Sequence, residues 1–306
     1  MIEKEFYRKG TAMKKLRIII AMCIVGTIGI FVEYIALPSL VIATARAWGG
    51  AAFMLLVMLC MKKKLHMDQI KDNALFLIIS GISMGGNWIF LFEAYKYVSI
   101  AIAILCDYMA PIFVIMLSPI LLKEKITWKK LLCIFGAIYG MFLISGIVGN
   151  VDADIRGVAL GLLSAVMYCS IVICNKKIKG MDGIEKTFCQ MFVAAIVIII
   201  YTILTVDIGS LQFTEQNIIL LITVGIVHTG IAYLLFIPVI SQLPAITTSV
   251  LSYIEPVVAI LTSAVILREM LSFQQIIGTI LILGSTLLCE ASLDMRRIFK
   301  WTKQRS

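Results

Sequence analysis

Apolar runs about as long as a bilayer is thick dominate this sequence. Between residues 243 and 267 the one charged side chain is Glu255, and Pro256 follows it at once. Runs of about 20 apolar residues are transmembrane-helix candidates. Helices and closed barrels alone satisfy every backbone N–H and C=O in hydrocarbon. A soluble domain is about 45–50% apolar, whereas this 306-residue chain is 61% hydrophobic with mean hydropathy +1.01. No soluble core could hide so many runs, and the short alternating segments of a β-barrel are absent. The fold class expected is an all-α polytopic membrane protein.

The runs predict ten spans: 16–36, 38–61, 74–95, 98–122, 129–147, 157–175, 186–206, 216–240, 244–267 and 272–290. Pro38 and Pro244 fall at span starts, where a missing backbone N–H costs nothing. The basic N-terminus followed by LRIIIAMCIVGTIGIFV resembles a secretory signal. It shows no small-x-small cleavage site, so it reads as an uncleaved first helix. Ten spans place nearly all the cations on one side. They are Lys4, Arg8, Lys9, Lys14, Lys15 and Arg17 in the N-tail; Lys62, Lys63, Lys64 and Lys71; Lys123, Lys125, Lys129 and Lys130; Lys176, Lys177, Lys179 and Lys186; and Arg296, Arg297, Lys300, Lys303 and Arg305 at the C-terminus. The other side receives Lys96, Arg156 and Arg268 with acids such as Asp152, Asp154 and Asp207. The positive-inside rule then puts both termini in the cytoplasm. The net charge of +9 is thus explained by topology and anionic lipid rather than by nucleic acid. The short loops suit a prokaryotic plasma membrane.

Residues 107–128, DYMAPIFVIMLSPILLKEKITW, align without gaps on 252–273, SYIEPVVAILTSAVILREMLSF, at an offset of 145. Tyr108 meets Tyr253, Pro111 meets Pro256, Leu122 meets Leu267 and Glu124 meets Glu269. Lys123 pairs with Arg268, Thr127 with Ser272 and Trp128 with Phe273. Each repeat holds five spans. Because five is odd, the second repeat enters from the opposite side, which is the inverted-repeat plan of many transporters. The boundaries expected are a tail at 1–15, repeats at 16–147 and 157–290, a loop at 148–156 and a basic tail at 291–306.

A proline followed twelve residues later by Lys-Glu or Arg-Glu and then Thr or Ser, twice per chain, resembles the EamA family of the drug/metabolite transporter superfamily. Pro111 to Trp128 and Pro256 to Phe273 carry the resemblance, and GGNWIFLFEAYKYVSIA (85–101) and Arg46 add to it. The likeness covers about residues 16–290. It implies a ten-helix inverted-repeat carrier, often an exporter, of amino acids or related metabolites. It leaves the solute open, since the superfamily also carries nucleosides, sugars and drugs.

A charge at mid-membrane costs about 2.5–3.5 kcal/mol on insertion scales. Arg46, Asp107, His228 and Glu255 lie deepest in the predicted spans, whereas Glu33 and Glu93 lie near span ends. Asp107 aligns with Ser252 and Ala110 with Glu255, so each repeat offers one carboxylate on an equivalent helix stripe. A proline deletes the bond to the carbonyl four residues earlier. Pro111 and Pro256 therefore release the carbonyls of Asp107 and Ser252 and make hinges. The cavity expected is lined by Arg46, Asn87, Trp88, Tyr95, Asp107, Tyr108, Tyr253 and Glu255. Glu255, Asp107 and His228 are the groups that would carry a coupled proton. The plainer alternatives are a fixed ion-pair lattice, packing aromatics and a hydrogen-bonded histidine.

GISMG (81–85) fits G-x-S-x-G, but a nucleophile elbow needs a strand-to-helix turn and this stretch lies in a helix. The G-x-x-x-G matches at 136–140 and 157–161 read as packing stripes, one use of which is a homodimer face. The eight cysteines form no CxxC pair, and with two histidines in all neither a metal site nor a cofactor is expected. An enzyme is not expected. No P-loop is present, so the driving force of a carrier would be a solute or ion gradient. The partners expected are a small solute, membrane lipid and protons. A facilitative uniporter and a flippase for lipids or lipid-linked sugars are the alternatives.

Overall fold

A computed structural model describes residues 2–98, 100–123, 127–144, 154–266, 272–274, 276–285 and 288. Expectations that rest on Ser99, Glu124, Lys125, residues 148–153, Leu267, Arg268, Glu269, Cys289 and the tail 291–306 lie outside the described residues. Among the described residues the secondary structure is helical, with no strand. Eight helices are long and apolar enough to cross a membrane, and two shorter apolar helices, Leu131–Leu143 and Ile276–Ser285, fall where the fifth and tenth spans were expected. Helix α1 runs from Ile2 to Gly26, and α2 follows over Ile28–Glu33.

The next helices are α3 (Ser39–Cys60), α4 (Met67–Asp72) and α5 (Ala74–Ala94). The fourth apolar run is split into α6 (Ile100–Asp107) and α7 (Ala110–Leu121). Then come α8 (Trp128–Ile144), α9 (Ile155–Lys177), α10 (Gly183–Thr205) and α11 (Glu215–Thr223). A π-helical segment, Val224–Ile231, joins α11 to α12 (Ala232–Ile240). The ninth run is split like the fourth, into α13 (Ala245–Ser252) and α14 (Ile254–Ile266). Pro38 and Pro244 occupy the N-caps of α3 and α13.

The packing pattern maps onto itself when the two halves of the chain are exchanged. Helix α9 packs on α5 and on the broken pair α6 and α7, as α1 packs on α12 and on the broken pair α13 and α14. Helix α10 packs on α5 as α3 packs on the π-helical segment, and α3 meets α10, as α7 meets α13. Small residues set several of these distances. Gly49 lies against Gly225, Gly81 and Gly85 lie against α10, and Gly157 and Gly161 lie against Val98 and Ala103. Gly136 and Gly140 face Ser285 and Gly278. Both G-x-x-x-G stripes are thus used in packing within the chain.

Pro238, inside α12, cannot donate to the carbonyl of Leu234. Arg17 of α1 donates to that oxygen instead, at 3.0 Å. At one end of the bundle, the segment after α3 is tied to the start of α10. Lys63 pairs with Asp182 at 2.7 Å, His66 N–H donates to Glu185 at 2.5 Å, and Asn73 and Lys179 exchange two hydrogen bonds of 3.0 Å.

Two outcomes test this packing. A Cβ at Gly49 would sit 2.9 Å from the Gly225 Cα, closer than real contacts allow. Gly49→Leu should cost about 1–3 kcal/mol, read as a lower thermal midpoint in detergent. Burial alone would raise the Asp182 carboxyl, but the Lys63 ammonium and the N–H groups of Ile184 and Glu185 more than offset it and hold it below the usual carboxylate range. Its stabilisation is therefore present above the unfolded value and lost as pH falls through the folded one. Between about pH 5 and pH 3, wild type should lose more stability than Asp182→Asn, by under about 1 kcal/mol because the pair is half-exposed.

Candidate functional site

The two broken helices cross near the middle of the bundle, and their sequence explains the break. With proline at 111, the carbonyl of Asp107 has no N–H partner four residues on. The chain tightens locally: Met109 N–H bonds to Cys106 and Ile112 N–H to Met109, each a three-residue step. In a regular helix Ile112 would have bonded to Tyr108, so the Tyr108 carbonyl is also released. The Tyr253 hydroxyl donates to it at 3.0 Å. The break frees one more carbonyl than the proline alone accounts for, and a side chain from the other half of the molecule satisfies it.

The charged groups gather around this crossing. Arg46 from α3, Asp107 at the end of α6 and Glu255 at the start of α14 lie deep in the bundle. Each nevertheless keeps part of its surface accessible to water. Tyr108, Tyr168 and Tyr233 share both properties, as does Tyr95 at the end of α5. Groups that are deep and still accessible line an internal water-accessible space. The charges of Arg46, Asp107 and Glu255 act on one another or on the same tyrosines, which makes this one site.

Neutral groups hold each charge. The Arg46 plane lies 4.3 Å over the Trp88 ring, a cation–π contact worth about 0.5–2 kcal/mol. Its Nε lies 3.3 Å from the Thr229 hydroxyl. No carboxylate stands within 4.0 Å of it among the described residues. Asp107 Oδ1 accepts from Ser164 at 2.5 Å and from Asn87 at 2.9 Å. The Tyr108 phenol lies near Glu255. The alternative reading, a fixed lattice of direct ion pairs, is not what the described residues form here.

The π-helical segment serves Arg46. Its wide turn lets the Thr229 hydroxyl bond back to the Val224 carbonyl at 3.1 Å, which fixes the acceptor for the guanidinium. Gly26 lets α1 approach the Glu255 backbone, where a Cβ would lie 2.7 Å from the Glu255 carbonyl oxygen.

Of the predicted residues, the structure brings Arg46, Tyr95, Asp107, Tyr108 and Glu255 to the water-accessible space. Asn87 and Trp88 are buried behind it, as supports for Asp107 and Arg46. Tyr253 is fully buried and pinned to Tyr108. His228 is buried against the first span, 3.1 Å from the Thr27 hydroxyl and 4.6 Å from the Phe31 ring, and does not face the cavity. Glu93 pairs with Lys96 at 2.7 Å at the end of its helix, and Glu33 ends α2. Pro111 lies in the first turn of α7 and Pro256 in that of α14, just after each break.

Sequence reasoning missed Ser164, Tyr168, Thr229 and Tyr233. Signals for three of them existed. Tyr233 stands at the repeat offset from Trp88, and the two rings meet edge to face at 6.2 Å. Ser164 and Tyr168 continue the helical stripe of Gly157 and Gly161, and Tyr168 bonds Ser252 at 3.0 Å. No metal-ligating cluster occurs among the described residues.

A family model described as the EamA-like transporter family matches residues 14–146 and again 155–290. The chain is 28% identical over 279 residues to the uncharacterized transporter YxxF of Bacillus subtilis (strain 168), covering 90% of this chain and 88% of that protein. It is 24% identical over 225 residues to protein PecM of Dickeya dadantii (strain 3937), covering 72% and 75%. A crystal structure superposes with a TM-score of 0.78 at 19% identity, over 90% of this chain and 96% of that one, which is a likeness of fold.

Asn87→Ala would strip Asp107 and the Ser164 carbonyl of a shared donor at a buried position. The expected cost is about 1–3 kcal/mol, measured as a fall in thermal midpoint that Asn87→Ser only partly restores.

Proposed function

The chain belongs to the EamA-like transporter family, and on that premise we propose that it is a secondary carrier of small dipolar metabolites. Amino acids or related compounds are the class it suits, moved outward by alternating access. The observation that carries this reading is that Arg46 and the two carboxylates share one water-accessible space without pairing directly. A solute with a carboxylate and an ammonium can then meet Arg46 on one side and Asp107 or Glu255 on the other. The tyrosines around it supply ring faces and hydroxyls. Binding swaps water for protein at each charge, so it need not break an internal salt bridge first.

The topology proposed has ten spans in two inverted five-helix repeats, 16–147 and 157–290, with both termini cytoplasmic, in a prokaryotic plasma membrane. The two separate family matches and the half-exchange symmetry of the packing support the repeats. The charge asymmetry of the loops supports the orientation. Proton coupling, if the carrier is driven, is assigned to Glu255 and Asp107, which face the cavity. His228 is less suited, since it is buried against the first span.

An apolar pocket of about 310 Å³ between α3 and α11, lined by Ala45, Gly49, Phe53, Leu56, Leu221 and Ile226, favours the second reading, a lipid or lipid-linked sugar flippase.

Uptake into proteoliposomes tests both. Amino acids, purines and small sugars are offered with and without an imposed pH gradient, to wild type and Glu255→Gln. The proposal expects one dipolar solute to accumulate with the gradient and the variant to abolish that accumulation. Equilibration of the solute by both proteins at any pH would make the protein a facilitator with Glu255 structural. No flux of any solute, together with scrambling of a labelled lipid, would replace the carrier with the flippase.

A further inference from the structure

Two residue pairs that stand 145 positions apart touch each other. Tyr253 packs on Tyr108 with ring centres 6.1 Å apart, and Trp88 meets Tyr233 at 6.2 Å. That spacing is the repeat offset, so both pairs lie where the two halves are related to each other. A symmetric pair of tyrosines would share one environment. These two do not. Tyr253 is fully buried and its hydroxyl donates to the Tyr108 carbonyl. Tyr108 keeps part of its surface exposed and lies beside Glu255.

Exchanging the halves turns the contact Tyr253 hydroxyl to Tyr108 carbonyl into its mirror, Tyr108 hydroxyl to Tyr253 carbonyl. Among the described residues the first contact is made and the second is not. Both tyrosines also sit at the helix breaks, where backbone carbonyls are released and a small dihedral change moves the flanking half-helices.

We propose that Tyr108 and Tyr253 are the positioning residues of the access change: the two states of the carrier are set by which tyrosine caps the other's released carbonyl. This rests on the two-repeat carrier reading above. In the state seen here Tyr253 caps and Tyr108 serves the cavity. In the opposite state Tyr108 is withdrawn from Glu255 to cap Tyr253. The repeat places Ala110 where Glu255 would be needed to greet Tyr253, so the two states offer the solute different polar walls. Arg46, Asp107, Tyr95, Tyr168 and Tyr233 remain around Glu255 in the state seen here.

Hydrogen–deuterium exchange of the intact protein in lipid nanodiscs, without solute, tests this. Tyr253→Phe keeps the ring and loses the present cap, so uptake should rise around 248–256 and fall around 103–111. Tyr108→Phe should do the reverse, because it removes the cap of the opposite state and leaves the present one intact. The ratio of the states should move about fivefold to tenfold in each direction. If Tyr253→Phe does not fold, Tyr108→Phe decides alone, and unchanged uptake in that variant overturns the proposal. Shifts in the same direction for both tyrosine variants, or no shift in either, would overturn the proposal. Opposite shifts without solute flux in liposomes would leave the exchange standing and remove the carrier reading.

Discussion

In hydrocarbon no backbone carbonyl can be left without a donor, and the interruptions in this helix bundle follow from that constraint. At three of the interruptions a side chain reaches a backbone oxygen. Tyr253 reaches the Tyr108 carbonyl, Arg17 reaches the Leu234 carbonyl below Pro238, and Thr27 turns its own hydroxyl to the Ile24 carbonyl at 2.7 Å where α1 ends. Two of these three donors come from the opposite half of the chain. The interruptions therefore tie the halves together at the same points where they allow them to bend.

The same logic governs the charges. A guanidinium and two carboxylates inside a membrane protein would ordinarily collapse into ion pairs, because desolvation penalises each one alone. Here Trp88, Thr229, Ser164, Asn87 and Tyr108 hold them on neutral contacts, and water-accessible space lowers the penalty. The support behind each charge is as specific as the charge itself. Asn87 is the clearest case: one amide nitrogen lies within hydrogen-bonding distance of Asp107 and of both the hydroxyl and the carbonyl of Ser164, which couples α5, α6 and α9.

The halves match in packing and differ in chemistry. Exchange preserves which helices touch, yet it places Ser252 against Asp107 and Ala110 against Glu255. A carrier whose halves were chemically identical would present its solute with the same site from either side. The two halves therefore offer different polar groups at equivalent positions.

Much of the fold was legible in the sequence, because span length and loop charge are local quantities. Eight of the ten apolar runs coincide with helices long enough to cross a membrane and two with shorter apolar helices, while the prolines at 38, 111, 244 and 256 and the 145-residue offset marked helix starts, breaks and a contact. Arg46, Asp107 and Glu255 were legible too, since an isolated charge in an apolar run stands out by its cost. Which neighbour each one meets was not. Helical periodicity tells which residues share a face, but it carries no information about the helix that face will meet. Ser164 and Thr229 became partners of Asp107 and Arg46 through contacts between distant segments. For the same reason Asn87 and Tyr253, read as cavity lining, and His228, read as a proton carrier, gave no sign that they would be buried. The sequence by itself determined the membrane class, the repeat and the charged inventory. The tertiary structure alone decided which tyrosine is buried and which keeps part of its surface exposed, because only the packed halves bring the Tyr253 hydroxyl to the Tyr108 carbonyl.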